Sequence, residues 1–216
     1  MGCTNILPSL QREKKGKIYL MISLTSVIGK NEDLLPVIMN VYAEDGFKIA
    51  DVTYGNGNFW KQIDMSKYKF FPSDLKTGID FRNLPYETES FDMIVLDPPY
   101  LHRSSAPINK DLDLTYRNNK RDGFGTEYVY GLYQRGIEQA YRVLKVNGLL
   151  LVKCQDQIMS GINRWDHIVI FHKALNFGFM AEDLFIITRI GTPIMRHKYQ
   201  LHARKNHSYM WIFKKK

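Results

Sequence analysis

The chain has 216 residues, of which 44% are hydrophobic and 24% are charged, and this composition excludes disordered and collagen-like proteins. Lys and Arg total 30 against 22 Asp and Glu, and the net charge of +8 favours a polyanionic partner. The longest apolar runs are far shorter than the about 20 residues that span a bilayer, so we expect no membrane partner. The length predicts a single domain over residues 1–216.

Cysteine and histidine usage bears on compartment and metal binding. The two cysteines, Cys3 and Cys154, and the lack of a recognisable secretion signal predict a reducing cytoplasmic compartment. His197, His202 and His207 recur every five residues, which differs from the i, i+4 spacing of helical zinc ligands. No metal site is therefore predicted.

Short apolar runs alternate with longer amphipathic stretches, and this pattern predicts an α/β fold. Apolar residues at helical spacing predict helices over residues 31–44, 127–145 and 164–176. Apolar runs predict strands over residues 48–52, 69–73, 91–96, 149–153, 184–190 and 209–214.

Polar residues follow three of these predicted strands. The first strand runs through Asp51 into a glycine-rich turn, Asp74 lies just past the second, and Asp97 follows the buried third. Because ligands of parallel sheets bind beyond the carboxyl ends of the strands, we expect these residues to converge on one crevice.

The tetrapeptide Asp97-Pro98-Pro99-Tyr100 has an unusual combination of residues for a strand end. Its two prolines fix the backbone and remove two donors, while their carbonyls remain acceptors. The Asp97 side chain and one rigid carbonyl could accept both hydrogens of a substrate amino group, and Tyr100 could stack on a planar base. The alternative is a plain strand terminator with a turn aspartate.

Two motifs together carry a resemblance to a known family. The segment Asp51–Phe59 has the form D-x-x-x-G-x-G-x-F, and the later tetrapeptide has the form (D/N/S)-P-P-(Y/F/W). In this pairing and order the chain resembles the S-adenosylmethionine-dependent amino-methyltransferases of nucleic acids, over roughly residues 28–153. Thr53-Tyr54 stands where Pro-Phe is commoner. The resemblance implies a Rossmann-like, mostly parallel seven-stranded sheet with an antiparallel edge.

The resemblance also implies roles for individual residues. The catalytic residues would be Asp97, Pro98, Pro99 and Tyr100. The methionine part of S-adenosylmethionine would contact Lys30, Asp51, Thr53, Tyr54, Gly55, Gly57 and Phe59. Asp74 would hold the ribose, and Asp80 with Phe81 would contact the adenine.

Two irregular stretches, residues 101–126 and 191–206, are rich in basic side chains. The first reads as a long substrate-facing loop and the second as a basic loop, and both are candidates for phosphate contacts. The alternative is a pair of solvated charged loops. The candidate nucleic-acid contacts are Arg103, Lys110, Arg117, Lys120, Arg121, Arg196, Lys198, Arg204 and Lys205.

The resemblance implies methyl transfer to an exocyclic amine of a flipped DNA base, with adenine N6 favoured over cytosine N4, in a bacterial or phage-infected cell. A restriction-modification context, a homodimer or a partner subunit would be compatible with it. The alternatives are an RNA methyltransferase acting on guanine N2 or adenine N6, a non-catalytic nucleic-acid-binding subunit, and a methyltransferase for a small molecule or a protein glutamine.

Overall fold

The computed structural model describes residues 23–100, 125–191 and 201–216 of the chain. The helices in these ranges are α1 (Asn31–Tyr42), α2 (Thr126–Val143) and α3 (Asp166–Asn176), with short 3₁₀ turns at Met65–Lys67 and Leu75–Thr77. The strands are β1 (Ser26–Ile28), β2 (Lys48–Asp51), β3 (Lys69–Pro72), β4 (Phe91–Leu96), β5 (Leu144–Cys154), β6 (Gln157–Met159), β7 (Ile162–Arg164), β8 (Phe179–Thr188) and β9 (His207–Lys215).

Seven of these strands form one sheet in the order β1-β8-β9-β5-β4-β2-β3. Only β9 runs antiparallel to its neighbours β5 and β8 within the described sheet, and the other pairings are parallel. The predicted α/β fold with a mostly parallel seven-stranded sheet is confirmed.

The antiparallel strand was expected at an edge of the sheet, and this placement is wrong. β9 lies between β8 and β5, and the three-residue strand β1 extends the sheet beyond β8 by pairing in parallel with Ile186–Thr188. A strand of three residues is too short to show a period of two in the sequence, which is why the pattern did not predict β1.

The sheet is covered on both faces, because alternate side chains of each strand point to opposite sides. One face packs against α1, whose buried residues Leu34, Leu35, Ile38 and Met39 contact strand residues such as Met93 and Leu151. The other face packs against α2 and α3, through residues such as Ile137, Ile170 and Leu150. The result is a three-layer α/β/α arrangement with two separate cores.

Several helix and strand bounds differ from the sequence prediction: β8 begins five residues earlier, at Phe179, and α1 and α3 are each two residues shorter. α2 ends at Val143 and β5 begins at once, because Leu144 already pairs with Phe91. The hairpin β6–β7 is absent from the sequence prediction, although its turn residues Ser160 and Gly161 both have positive φ, as a type I′ hairpin turn requires.

No helix within the described residues has the length and apolar character needed to cross a membrane.

Candidate active site

Three charged side chains end neighbouring strands on the α1 side of the sheet. Asp51 ends β2, Asp97 follows β4, and Lys153 lies near the end of β5; each continues the alternation of strand residues that pack on α1. The register places Asp51 opposite Val95 and Leu96 opposite Val152, so the carboxyl ends of the three strands are level. The register thus brings Asp51 and Asp97, two of the residues predicted to share one crevice, to the same edge of the sheet, with Lys153 on the next strand.

Asp51 organises the glycine-rich turn that follows β2. One carboxylate oxygen accepts hydrogen bonds from the Thr53 amide at 2.9 Å and the Thr53 hydroxyl at 3.3 Å, and the other accepts one from Trp60 Nε1 at 2.7 Å. Burial raises the pKa of Asp51 to about 7, against the lowering effect of these hydrogen bonds, and the charge of Asp97 adds to the rise. Asp51 thus holds the turn from inside the protein.

Thr53 joins the two sequence motifs. Its hydroxyl oxygen accepts a 2.7 Å hydrogen bond from the backbone N–H of Asp97 while donating to Asp51. A proline at position 53 would have no hydroxyl to accept this bond. The Thr53 hydroxyl therefore links the glycine-rich motif directly to the Asp-Pro-Pro-Tyr motif.

The glycines of the turn allow a close approach to the backbone. Gly57 has φ of +65°, and a Cβ there would lie 2.5 Å from the Tyr54 hydroxyl, because the Tyr54 ring packs against this backbone. Gly55 has φ of +57°, and its N–H donates to Asp74 at 3.0 Å. Phe59 is buried in the core beneath α1.

Asp74 caps the 3₁₀ turn after β3. One of its oxygens accepts from the amides of Lys76 at 2.8 Å and Thr77 at 3.1 Å, and the other accepts from Gly55. A carboxylate oxygen has two lone pairs, so the oxygen that faces Gly55 retains one for a ligand hydroxyl. The residue predicted to bind ribose thus lies against the glycine-rich turn.

Asp80 and Phe81 follow the 3₁₀ turn after β3, and Phe81 belongs to the core on the α2 and α3 face of the sheet. The Asp80 carboxylate accepts hydrogen bonds from the Arg82 guanidinium at 2.7–3.0 Å and from the Arg82 amide at 2.8 Å. Desolvation raises the pKa of Asp80, but the hydrogen bonds and charge of Arg82 outweigh it and hold the pKa below its ordinary value. The Phe81 side chain is buried in the core, which leaves its backbone as the part that can reach a ligand.

Asp97 presents a hydrogen-bond acceptor without a partner. Its Oδ1 atom is buried and has no hydrogen-bond partner in the described structure. Burial raises the pKa of Asp97, and the positive charges of Lys153 and Arg189 oppose that rise. Because an unsatisfied buried acceptor costs about 1–3 kcal/mol, it is a site for an incoming donor.

The other three residues of the tetrapeptide differ in burial. Pro98 is buried, and Pro99 and Tyr100 are half-buried. The Tyr100 hydroxyl accepts a long 3.5 Å hydrogen bond from Arg189, which follows β8. Burial, followed by the negative charge of Asp97, raises the pKa of the Tyr100 hydroxyl.

A cleft of about 560 Å³ opens at the start of α1. It is lined by residues 29–33, Asn58, Lys61, Ile187, Arg189 and Ile190. Its volume falls in the range of small-molecule sites. The predicted cofactor residue Lys30 belongs to this lining, and Arg189 connects the cleft to Tyr100 and Asp97.

Of the predicted nucleic-acid contacts, the described residues include Arg204 and Lys205. The Lys205 ammonium lies 4.4 Å from the ring centroid of Trp165, and that ring is 48% exposed. Arg204 is half-buried. Arg103, Lys110, Arg117, Lys120, Arg121, Arg196 and Lys198 lie outside the described residues, as do Cys3, His197 and most of the two predicted loops.

Two of the remaining histidines contact the protein itself. His202 contacts the Gly161 carbonyl at 2.6 Å, and His207 contacts the Tyr209 hydroxyl at 2.9 Å. Within the described ranges no group of three His, Cys, Asp or Glu side chains could hold a metal ion. Cys154 is buried, and burial raises the pKa of its thiol well above the ordinary value.

Sequence reasoning missed three residues of the site: Lys153, Arg189 and Trp60. Lys153 carried a usable signal, because a lysine that ends an apolar strand, like Asp97 in the neighbouring strand, is placed at the ligand-binding edge. Arg189 enters through its contact with Tyr100, 89 residues earlier, which local patterns do not encode. Trp60 directly follows the glycine-rich motif, but its hydrogen bond to Asp51 depends on how the turn folds back on β2.

The fold is similar to that of several solved structures. A SAM-dependent methyltransferase from Methanosarcina mazei superposes with a TM-score of 0.51 at 10% identity, covering 82% of this chain and 96% of that one. A proposed methyltransferase from Bacillus halodurans gives 0.53 at 14% identity, covering 84% and 98%. TrmN from Thermus thermophilus gives 0.52 at 15% identity and covers 84% of this chain, which spans only 48% of that protein.

At these identities the structural similarities establish the fold. No curated protein sequence matches the chain. Residues 91–216, more than half of the sequence, match the N6/N4 methyltransferase family described as DNA methylase. The matched region begins at β4 and includes the tetrapeptide from Asp97 to Tyr100. The chain therefore belongs to the N6/N4 family of DNA methylases.

Proposed function

We propose that this DNA methylase transfers a methyl group to the exocyclic amine of a DNA base that is flipped out of the duplex, with adenine N6 favoured over cytosine N4. The observation that carries the proposal is the buried, unpartnered Oδ1 of Asp97 at the end of a parallel strand. An amino group is a donor that satisfies such an acceptor, and the Pro98 carbonyl is a second acceptor next to it. Methylation takes place within a single domain.

S-adenosylmethionine is the methyl donor, and the site fits it. Gly55, where a Cβ would meet no atom nearer than 3.9 Å, and the Tyr54 ring that packs over Gly57 would face its methionine part, together with Lys30 at the cleft. The remaining lone pair of Asp74 would accept from a ribose hydroxyl. When bound, this cofactor supplies an electrophilic methyl group on a sulfonium sulfur.

The proposed role of Asp97 is to orient the amine. The lone pair of an exocyclic amine is delocalised into the ring, and accepting both N–H hydrogens at Asp97 and the Pro98 carbonyl turns that lone pair toward the methyl group. Holding the two reacting atoms in line supplies much of the rate acceleration. The methylated amine carries one surplus proton, which Asp97 is placed to accept and release to water.

Tyr100, Arg204 and Lys205 would contact the nucleic acid. A flipped base needs a stacking partner to offset the few kcal/mol lost on unstacking, and the half-buried Tyr100 is close enough to Asp97 for that charge to raise its pKa. Arg204 and Lys205 would neutralise phosphates, and the exposed Trp165 ring beside Lys205 offers an additional stacking surface.

The test is to incubate the purified protein with S-adenosylmethionine and either unmethylated DNA or RNA, and to digest each product to nucleosides for mass spectrometry. N6-methyladenine in DNA is expected, and N4-methylcytosine would correct the base. Asp97→Ala should reduce product at least about 100-fold, while calorimetry should show cofactor affinity changed by less than about threefold. Methylation of RNA alone, or wild-type turnover by Asp97→Ala, would overturn the proposal.

A further inference from the structure

We propose that Lys153 is a positioning residue for Asp97, and that its buried ammonium, held by Asn31 at the start of α1, keeps the Asp97 carboxylate in its charged, accepting form. This inference rests on the proposed function, because it concerns the residue assigned to orient the amine. Neither the family match nor the sequence motifs assign a role to Lys153.

Lys153 is fully buried, which is rare for a lysine. Its Nζ atom donates to Asn31 Oδ1 at 3.1 Å and lies 6.0 Å from the Phe59 ring centroid. Both of these groups are uncharged. Because a buried ammonium is costly without an opposite charge, these contacts do not account for the presence of a lysine here.

The compensating charge is Asp97. Both residues lie on the α1 side at the carboxyl ends of adjacent strands, one position beyond the Leu96–Val152 pair. Burial lowers the pKa of Lys153, and the Asp97 charge is the largest influence that opposes this effect. Each ion therefore supports the charged form of the other, without a direct ion pair between the two described side chains.

Asp97 needs this support because burial disfavours its charged form. The Asp97 charge in turn raises the pKa of Asp51, the buried carboxyl group of β2 on the other side of β4. The titratable and charged groups around Asp97 are Asp51 from β2, Lys153 and Cys154 from β5, Tyr133 from α2, Tyr100 and Arg189. Lys153 and Arg189 are the cations of this set, and Lys153 is the more deeply buried.

The Asn31 contact connects this pair to the cleft. Asn31 is the first residue of α1 and lines the cleft, so one side chain touches both the cofactor end of the site and the ammonium that faces Asp97. A lysine at this position thus joins α1, β5 and β4 by charge and hydrogen bonding.

The direct test follows the Asp97 carboxyl carbon by ¹³C NMR in the full chain without cofactor, with the signal identified by its loss in Asp97→Asn. Lys153→Met removes the charge and keeps the length of the side chain. We expect the Asp97 titration midpoint to move to higher pH by about one unit or more, the effect of losing a nearby opposite charge. Lys69→Met, which removes an exposed lysine at the start of β3, should leave the midpoint unchanged.

An Asp97 midpoint that is the same in Lys153→Met and wild type would overturn the inference. If Lys153→Met does not fold, Asn31→Leu tests the same inference, because it removes the hydrogen bond that holds the Lys153 ammonium. That variant should shift the midpoint in the same direction, and an unchanged midpoint would overturn the inference equally.

Activity gives a separate reading. The acid limb of the pH–rate profile should move to higher pH in Lys153→Met. In Lys153→Arg, which keeps the positive charge, the acid limb should lie closer to that of the wild type. If the wild-type protein transfers no methyl group, the proposed function fails while the NMR titration still decides the role of Lys153. If the wild type is active, and neither the Asp97 midpoint nor the acid limb of the pH–rate profile moves in Lys153→Met, only the role of Lys153 fails.

Discussion

Asp51 makes the stability of the protein depend on pH in an unusual direction. Its pKa is about 7 in the folded protein and 3.8 for an unperturbed aspartate, the value taken for the unfolded chain. Between these two pH values the carboxyl group is therefore protonated in the folded protein and ionised in the unfolded chain. The stabilisation is fully present below pH 3.8 and is lost as the pH rises through 7, with a total of about 4 kcal/mol. Between pH 5 and pH 8 the expected loss is about 2.5 kcal/mol.

The assay is urea unfolding of the wild type and Asp51→Asn at pH 5 and pH 8, without cofactor. The other titrating groups are common to both proteins, so they cancel when the two pH differences are subtracted. The wild type should lose about 2.5 kcal/mol more than Asp51→Asn on going from pH 5 to pH 8. Equal pH dependence in the two proteins would refute the conclusion that burial of this carboxylate dominates its hydrogen bonds to Trp60 and Thr53.

Three further outcomes are expected. Gly57→Ala and Gly46→Ala should each lower the free energy of unfolding in urea by about 1 kcal/mol, because both positions have positive φ. Only Gly57→Ala should also weaken cofactor binding in calorimetry, by about tenfold or more, because only a Cβ at Gly57 displaces a neighbouring tyrosine ring. Thr53→Val should lower the free energy of unfolding by about 1–3 kcal/mol and reduce methylation, because the Asp97 amide loses its hydrogen-bond acceptor. Thr53→Ser keeps the hydroxyl and should behave like the wild type, and equal stability of the two variants would contradict the link between Thr53 and Asp97. Lys205→Ala should reduce the slope of DNA affinity against salt in fluorescence anisotropy by about one, and an unchanged slope would remove it from the interface.

The sheet illustrates where sequence patterns succeed. Strands β2, β3, β4 and β5 were predicted within a few residues, except that β5 begins five residues earlier, because apolar runs bounded by turn residues are local signals. The position of β9 between β8 and β5 depends on pairing between segments that are far apart in the chain. Local propensity carries no information on that pairing.

The candidate site divides in the same way. The sequence by itself determined the α/β class, the glycine-rich turn after β2 and the Asp-Pro-Pro-Tyr segment after β4, since each depends on residues adjacent in the chain. Only the tertiary structure decided that the Thr53 hydroxyl binds the Asp97 amide and that Lys153 shares its buried edge with Asp97 and Asp51. The physical reason is that burial sets the strength of charges and hydrogen bonds, and burial exists only after distant strands have paired.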